Sequence, residues 1–422
     1  MKRSVVDLSE KFYDTVVIGA GAAGIAAAVK CKEVGLSVLL IESKDKIGGI
    51  PLQCTHPGFG NFYYDENLTG TEFAERLIER LEEVDVDQMT EAHVTSIENR
   101  SDLDKRVELI TPEGLYSIQT KTIIYSTGAR ERHRFETGIQ GDRLSGVYTA
   151  GEAQTLMDIY GVMPGKRVVI IGSGDIGLIM ARRFALEGAD VIGVIEMLPY
   201  PGGLTRNVVQ CLHDFDIPLY TQKLVKEICG DERVEEVVTV DIDEDFEEIP
   251  GSKEVIECDT VALATGLIPY TKKLDELDIV KDASTKGPKV NEFLETSISG
   301  IFAAGNVLAI NDYVDFAAYQ GEKAAESADK FIEEKGLEKE NWIEIKKGRN
   351  IRLVVPHLLS GDNDVTLYAR VKKPEPYVDI VISEIDENIK STSVNPGEMI
   401  RLDISKEMMN DLDDEITLEV KR

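Results

Sequence analysis

Two stretches of the chain repeat one pattern, and that repeat restricts the fold more than any other feature. "DTVVIGAGAAGIAAAVKCKEVGLSVLLIE" occupies residues 14–42, and "KRVVIIGSGDIGLIMARRFALEGADVIGVIE" residues 166–196. Each reads as an apolar strand, a glycine turn, an amphipathic helix, a glycine that stops the helix, a second apolar strand and a final glutamate. Residues 16–18 and 168–171 are unbroken β-branched runs, as expected of parallel strands buried on both faces. Both copies carry GxGxxG, at Gly19, Gly21, Gly24 and at Gly172, Gly174, Gly177. The first glycine allows a tight turn and the second a close approach to a pyrophosphate. The third lets helix pack on strand, while the helix N-terminus offers N–H groups and a partial positive charge. The glutamate follows the last glycine by 18 residues in the first copy and 19 in the second. It is placed to accept from a ribose 2′-hydroxyl and to repel a 2′-phosphate. Glu196 therefore favours NAD(H) over NADP(H).

Three further segments fit one dinucleotide fold inserted within another. "KTIIYSTGAR" (121–130) and "CDTVALATGLIP" (258–269) are apolar strands ending in Thr-Gly turns, which close the first domain's detour and the second domain. "TSISGIFAAGNVLAI" (296–310) is an apolar strand ending at Gly305-Asn306, a turn that can aim a polar side chain at a cofactor. The expected division is a first dinucleotide-binding domain in two parts, 1–155 and 281–344, a second dinucleotide-binding domain inserted over 156–280, and a β-rich interaction domain over 345–422. The fold class is α/β: two Rossmann-like three-layer domains plus a small antiparallel β-sandwich.

Composition narrows the partners. With 422 residues the chain exceeds one ordinary core, and 42% hydrophobic content suits globular domains. A formal charge of −30 disfavours nucleic acid and anionic membrane surfaces, both of which require clustered Lys and Arg. No apolar run approaches the ~20 residues of a membrane span, and the acidic N-terminal stretch lacks the apolar segment of a signal peptide. A cytoplasmic location without direct membrane insertion is expected. The five cysteines, Cys31, Cys54, Cys211, Cys229 and Cys258, are scattered singly. With no CxxC or CxxxxC, no zinc, iron–sulfur or dithiol site is encoded, and no metal is expected.

The five segments, in this order, resemble the two-dinucleotide-binding-domain flavoproteins, the pyridine nucleotide–disulfide oxidoreductase superfamily. The resemblance implies tightly bound, non-covalent FAD on Gly19, Gly21, Ala22, Ala23, Gly24, Glu42, Ser43, Gly48, Gly49, Thr127, Gly128, Gly305 and Asn306. Asp312 and Phe316 are further FAD candidates. It implies NAD(H) on Gly172, Ser173, Gly174, Asp175, Ile176, Gly177, Glu196 and Gly266. Three departures stand out. Asn306 replaces the usual aspartate of the ribitol segment. Pro51 and His56 stand where the disulfide reductases of the family carry the CxxxxC cysteines. The familiar C-terminal α/β dimerisation domain is absent.

At a finer level, "GGIPLQCTHPGFG", "LTGTEFAERLIER", "STGARERHR", "GGLTRNVVQCLHDFDIPL" and "AAGNVLAINDYVDF" resemble the small FAD/NAD oxidoreductases associated with anaerobic-type glycerol-3-phosphate dehydrogenases. They are similar also to α-type subunits of heteromeric amine and opine dehydrogenases. This implies an electron-transfer component that moves hydride between NAD(H) and flavin for a partner dehydrogenase. In the loop "KIGGIPLQCTHPGFG", Cys54 and His56 are flavin-proximal candidates, with no catalytic residue assigned firmly. The alternatives are a self-sufficient NADH oxidase or peroxidase using Cys54, and a nucleotide-binding relay subunit without NADH turnover.

The remaining segments carry weaker signals. Residues 68–86 read as a helix capped by Thr71, with Phe73, Leu77, Ile78 and Leu81 as its core stripe. Arg130, Arg132, His133 and Arg134 form either a cationic surface near cofactor phosphates or a solvated linker, and Arg206 is a candidate nucleotide contact. From Trp342 onwards "NIRLVVP", "VTLYARV", "YVDIVIS", "MIRLDIS" and "EITLEVK" alternate at period two between turn residues, which predicts the sandwich. Its expected role is an interface to a second copy, giving a homo-oligomer, or to the partner dehydrogenase subunit.

Overall fold

The computed structural model describes residues 12–337, 342–385, 387–409, 412 and 415–422. They fall into two compact units. The first comprises Met1–Ala129, Pro269–Val394 and Met399–Arg422, and the second Arg130–Ile268 with Asn395–Glu398.

The first unit is built on a parallel sheet. Strand β1 (Phe12–Ile18) lies between β2 (Val38–Ile41) and the long strand Gly114–Tyr125. Asp87–Met89 extends the sheet beyond β2, and Ile301–Ala303 extends it beyond the last residues of Gly114–Tyr125. The first half of the long strand leaves this layer and pairs antiparallel with Asp104–Thr111, which pairs with His93–Ser101. Val16, Val17, Leu39, Ile123, Ile124, Ile301 and Phe302 are all fully buried, so the β-branched runs are covered on both faces. Helix α1 (Ala22–Glu33), rich in alanine, is buried along most of its length against α2 (Gly70–Glu82) and the helix Val314–Glu334. The cap of α2 is Thr69 rather than Thr71. Its hydroxyl accepts from Glu72 N–H (3.3 Å), and Glu72 accepts in return from Thr69 N–H (2.8 Å). That reciprocal pair requires the Thr-x-x-Glu spacing, which only Thr69 satisfies.

The C-terminal β-structure belongs to the same unit. Leu358–Leu359, Ile343–Lys347, Glu415–Lys421, Glu375–Ile382 and Glu387–Val394 form one sheet, in that order. Ile351–Val355, Val365–Val371 and Ile400–Ile404 form the other. Val365, Leu367, Ala369 and Val371 point inward together with Ile416, Leu418 and Val420, as the alternation requires. One pairing departs from a purely antiparallel sandwich. The last strand returns between Ile343–Lys347 and Glu375–Ile382, and runs parallel to the former.

The second unit carries a five-stranded parallel sheet in the order Val147–Thr149, Thr260–Leu263, Arg167–Ile171, Asp190–Ile195, Leu219–Tyr220. A second sheet of Gln140–Gly141, Lys223–Gly230, Val234–Asp241 and Glu254–Glu257 completes it. This unit begins at Arg130, earlier than the 155/156 border suggested by the sequence, because Val147–Thr149 is the edge strand of its parallel sheet. Among the described residues no helix is long and apolar enough to cross a membrane.

Candidate dinucleotide-binding sites

In the first unit, β1 ends at Ile18 and the chain turns through Gly19 with φ of 101°. Helix α1 starts behind Gly21, which supplies no side-chain cap. Its first intrahelical bond runs from Ile25 N–H to Gly21 C=O (2.9 Å), so the N–H groups of Ala22, Ala23 and Gly24 precede the ladder. A Cβ on Gly24 would lie 1.8 Å from Gly19 O, a distance that admits only glycine. The second unit repeats this geometry. Gly172 turns at φ 100°, Gly174 is an uncapped N-cap, the first bond is Leu178 N–H to Gly174 C=O (3.0 Å), and a Cβ on Gly177 would meet Gly172 O at 2.1 Å.

The acids are held by the same device in both copies. Ala20 N–H donates to Glu42 Oε2 (2.9 Å) and Lys44 N–H to Glu42 Oε1 (2.9 Å). Ser173 N–H donates to Glu196 Oε2 (2.9 Å) and Leu198 N–H to Glu196 Oε1 (2.9 Å). In each copy, the residue between the first two glycines and the residue two after the acid fix one carboxylate oxygen each. An uncapped helix N-terminus beside a fixed carboxylate suits a pyrophosphate and a ribose diol respectively. The cradle is open: a Cβ on Gly174 would meet no protein atom within 4 Å, and one on Gly21 only the Gly49 Cα at 4.0 Å.

A family model for pyridine nucleotide-disulphide oxidoreductases matches residues 13–329. The chain belongs to this family. Its members bind FAD and NAD(P)H. Among its relatives is one component of the alkyl hydroperoxide reductase of Staphylococcus epidermidis, 29% identical over 302 residues, which are 70% of this chain and 54% of the relative. One component of the opine oxidase of Agrobacterium tumefaciens is 31% identical over 215 residues, covering 49% of this chain and 41% of that one. The chain thus spans between two fifths and just over half of these relatives' own lengths. Among solved structures, thioredoxin reductase from T. acidophilum superposes with a TM-score of 0.64 at 27% identity, covering 76% of this chain and 99% of that one.

Around the first glycine turn the chain gathers most of the FAD candidates that the family resemblance assigns. Gly48 N–H donates to Ala20 C=O (2.8 Å), and Gly49, at φ 69°, passes so close to Gly21 that a Cβ would lie 2.8 Å from its Cα. Gly305 sits against the first turn of α1, where its Cβ would be 2.9 Å from Ala23 Cβ. Its N–H donates to Gln320 Oε1 (2.9 Å), and Asn306 Oδ1 accepts from Asn311 N–H (3.0 Å). Thr127 donates to Tyr270 C=O (2.8 Å), and Gly128 turns at φ 69°. Ser43 is exposed, donates to Glu42 Oε1 (3.1 Å), and borders a cavity of about 430 Å³ shared with Asp45, Glu91 and His93. In the second unit Asp175 Oδ1 accepts from Leu204 N–H (2.8 Å) and Asn207 Nδ2 (2.7 Å), tying the start of the helix Thr205–Cys211 and the residue before it to the start of the helix Asp175–Leu186. Ile176 is 39% exposed and Gly266 turns at φ 101°.

Two FAD candidates lie elsewhere. The Asp312 carboxylate is turned towards the sandwich, where it pairs with Arg370 and accepts from Met399 N–H (2.6 Å). Phe316 is 3% exposed and packs among Tyr313, Tyr319, Tyr368 and Met399. Between them in the chain lies Asp315. It is fully buried, and its carboxylate accepts from Gly60 N–H (3.2 Å), Phe62 N–H (3.0 Å) and Tyr63 N–H (2.9 Å). It thereby clasps the end of the Cys54–His56 loop to the helix Val314–Glu334. Cys54 itself is 7% exposed, its Sγ donates to Ile50 C=O (3.5 Å), and its Cβ lies against Gly70 at the start of α2. His56 Nδ1 bonds to Pro57 C=O (3.0 Å).

Of the arginine cluster, Arg130 forms a two-pronged pair with Glu136 (2.7 and 2.8 Å). Arg134 is buried and donates to the carbonyls of Ile139 (3.2 Å), Gly141 and Asp142. Both are internal ties. Arg132 and Arg206 are exposed. No disulfide joins the five cysteines. Burial pushes the thiols of Cys31 and Cys258 up to about 12 and that of Cys211 up to about 11.

Proposed function

We propose that the chain holds FAD on its first unit and NAD(H) on its second, and works as the NAD(H)-linked electron-transfer component of a multisubunit dehydrogenase of the glycerol-3-phosphate or amine type. The observation that carries this reading is the duplicated geometry. Two uncapped helix N-termini each follow a glycine turn, and each faces a glutamate fixed by two backbone N–H groups. When bound, the flavin supplies the redox chemistry by exchanging a hydride with the nicotinamide. The protein's own groups would bind and orient: Ala22–Gly24 and Asp175–Gly177 N–H groups would hold the pyrophosphates, and Glu42 and Glu196 the riboses. The fixed negative charge of Glu196 disfavours a 2′-phosphate, so NADH is preferred over NADPH.

Thiol chemistry is not part of the proposal. The sequence has no CxxC or CxxxxC pair, and the Cys31, Cys211 and Cys258 thiols are held away from the thiolate by burial. Electrons from a bound flavin would then pass to a partner component. The relative from opine oxidase, itself one component of that enzyme, supports a place in a multi-component enzyme. The β-sandwich is the surface proposed to meet the partner dehydrogenase or a second copy. The deciding experiment is anaerobic titration of the purified protein with NADH and with NADPH. The expected result is a yellow protein bleached by NADH and far less readily by NADPH. A yellow protein that NADH does not bleach would mark a nucleotide-binding relay, and a colourless one that takes up no FAD would overturn the reading.

A further inference from the structure

The two glycine turns differ between their first two glycines, and that difference falls on the acid. Where the first copy has Ala20, the second has Ser173. Ser173 is fully buried, and its hydroxyl donates to Glu196 Oε2 (2.5 Å) while accepting from Gly202 N–H (2.8 Å). Glu196 Oε2 thus receives both the N–H and the O–H of one residue, which fills its two acceptor positions. Among the described residues Glu196 Oε1 accepts only from Leu198 N–H, which leaves one acceptor position. The residue is 7% exposed, whereas Glu42 is half-buried and is held by the neighbouring Ser43 hydroxyl instead.

We propose that Ser173 is a positioning residue that sets the second site's selectivity against a 2′-phosphorylated nucleotide. It acts by locking the Glu196 carboxylate in one rotamer. A carboxylate on a free side chain can rotate away from a 2′-phosphate and so tolerate NADP(H). One saturated at Oε2 and buried cannot move without abandoning a charge-assisted hydrogen bond, and it presents Oε1 to a diol and a fixed charge to a phosphate. The hydroxyl also carries the lock outward, since Gly202 N–H ties the 199–207 loop to the same oxygen. This inference rests on the NAD(H) reading of the second unit.

The test uses the FAD-loaded full chain and compares dissociation constants for NADH and NADPH in wild type, Ser173→Ala, Glu196→Gln and the double variant. FAD content and melting temperature are followed alongside. Alanine occupies the equivalent buried position in the first copy, so the turn accepts it. Ser173→Ala is expected to weaken NADH and to lower the NADPH-to-NADH ratio of dissociation constants about tenfold, the worth of one charge-assisted hydrogen bond. In the Glu196→Gln background the same change is expected to leave that ratio where it is. An unchanged ratio in Ser173→Ala, even with both affinities reduced, overturns the inference, because a merely structural serine would weaken both nucleotides alike. An equal fall in the Glu196→Gln background also overturns it. Should Ser173→Ala fail to fold, Ser173→Cys, a far weaker donor, must show the lowered ratio. Wild-type protein that binds neither nucleotide, or both equally, refutes the NAD(H) reading itself, which separates that failure from this one.

Discussion

Replacing Gly174 by alanine separates what the glycine turn does for the fold from what it does for a ligand. Gly174 has φ −63° and ψ 166°, an ordinary conformation for alanine, and a Cβ there meets no protein atom within 4 Å. Two small effects oppose each other in the folded chain. Alanine restricts the unfolded chain, a gain of ~0.4–1 kcal/mol, but is a poorer N-cap than glycine by a similar amount. Stability should therefore stay within about 1 kcal/mol of wild type. Gly177→Ala is the contrasting case. Its methyl would sit 2.1 Å from Gly172 O and 3.0 Å from Ala264 Cβ, so the helix must shift by about 1 Å, at a cost of roughly 1–3 kcal/mol or more. Binding should show another pattern. If a pyrophosphate lies over the helix start, a methyl on Gly174 pushes it from the Asp175 and Ile176 N–H groups. Losing one such charge-assisted bond weakens NADH by ~1.5–3 kcal/mol, about ten- to 150-fold. Denaturant titration and NADH titration of the same FAD-loaded preparation give both quantities. A stable Gly174→Ala protein with NADH affinity within about twofold of wild type would refute the placement of the pyrophosphate, and with it the proposed use of the second unit.

Asp315→Asn puts an amide NH₂ where an oxygen now accepts a backbone N–H, and should lower stability by ~1.5–3 kcal/mol in urea unfolding. Its FAD retention should fall as the Cys54–His56 loop loosens. Arg370→Met removes the cationic partner of the Asp312 carboxylate while Met399 N–H still donates to it, and should cost about 3 kcal/mol, read from the same unfolding curves. His357 accepts from Val290 N–H at Nδ1 (3.1 Å), and burial pushes it down to about 4 from its ordinary 6.5. Above pH 6.5 it is neutral in both states and its contribution is complete. As pH falls from there through 4, the unfolded chain gains the proton first, and roughly 3 kcal/mol is lost. Urea midpoints at pH 7 and pH 4 should show that loss in wild type and a smaller one in His357→Gln. Cys54→Ser should keep its flavin and its anaerobic bleaching by NADH; abolished bleaching would restore a thiol mechanism.

The strands, glycine turns and acids were legible in the sequence because each is specified by near neighbours. A buried parallel strand needs a β-branched run, a phosphate-binding turn needs glycines at fixed offsets, and the acid must end the next strand. What was not legible depends on partners far along the chain. Residues 312 and 315 are both aspartates near the start of one helix, and the resemblance put Asp312, with Phe316, among the FAD candidates. In the structure Asp312 answers Arg370 and Met399, more than fifty residues later, while Asp315 reaches back some 250 residues to the Gly60–Tyr63 backbone. No local pattern distinguishes the two. The same holds for Arg134, which in sequence is one of several cations and in the fold is consumed by three carbonyls. It holds also for Lys105, fully buried with its ammonium on the Ser101 and Asp102 carbonyls (3.2 and 2.7 Å).

Ser173 lies between these extremes, which is why the two copies repay comparison. Its identity is plain in "GSG" against "GAG", and so is its place between the first two glycines. Its consequence is not, because the hydroxyl matters only once Glu196 has come back along the neighbouring strand and Gly202 has folded over the turn. The first copy shows that the backbone part of the device is sufficient to hold an acid: Ala20 and Lys44 N–H groups fix Glu42 with no hydroxyl at position 20. A serine at the second turn is therefore not needed to fix the acid through the backbone; its hydroxyl adds a bond to Glu196 and takes the Gly202 N–H. What it adds is restraint on one carboxylate oxygen, and restraint has value where the ligand to be refused differs from the ligand to be accepted by a single phosphate. A site for FAD faces no such competitor at its adenosine ribose, whereas a site for NAD(H) meets NADP(H) constantly. The asymmetry between Ala20 and Ser173 is what the proposed assignment of FAD to the first turn and NAD(H) to the second would call for.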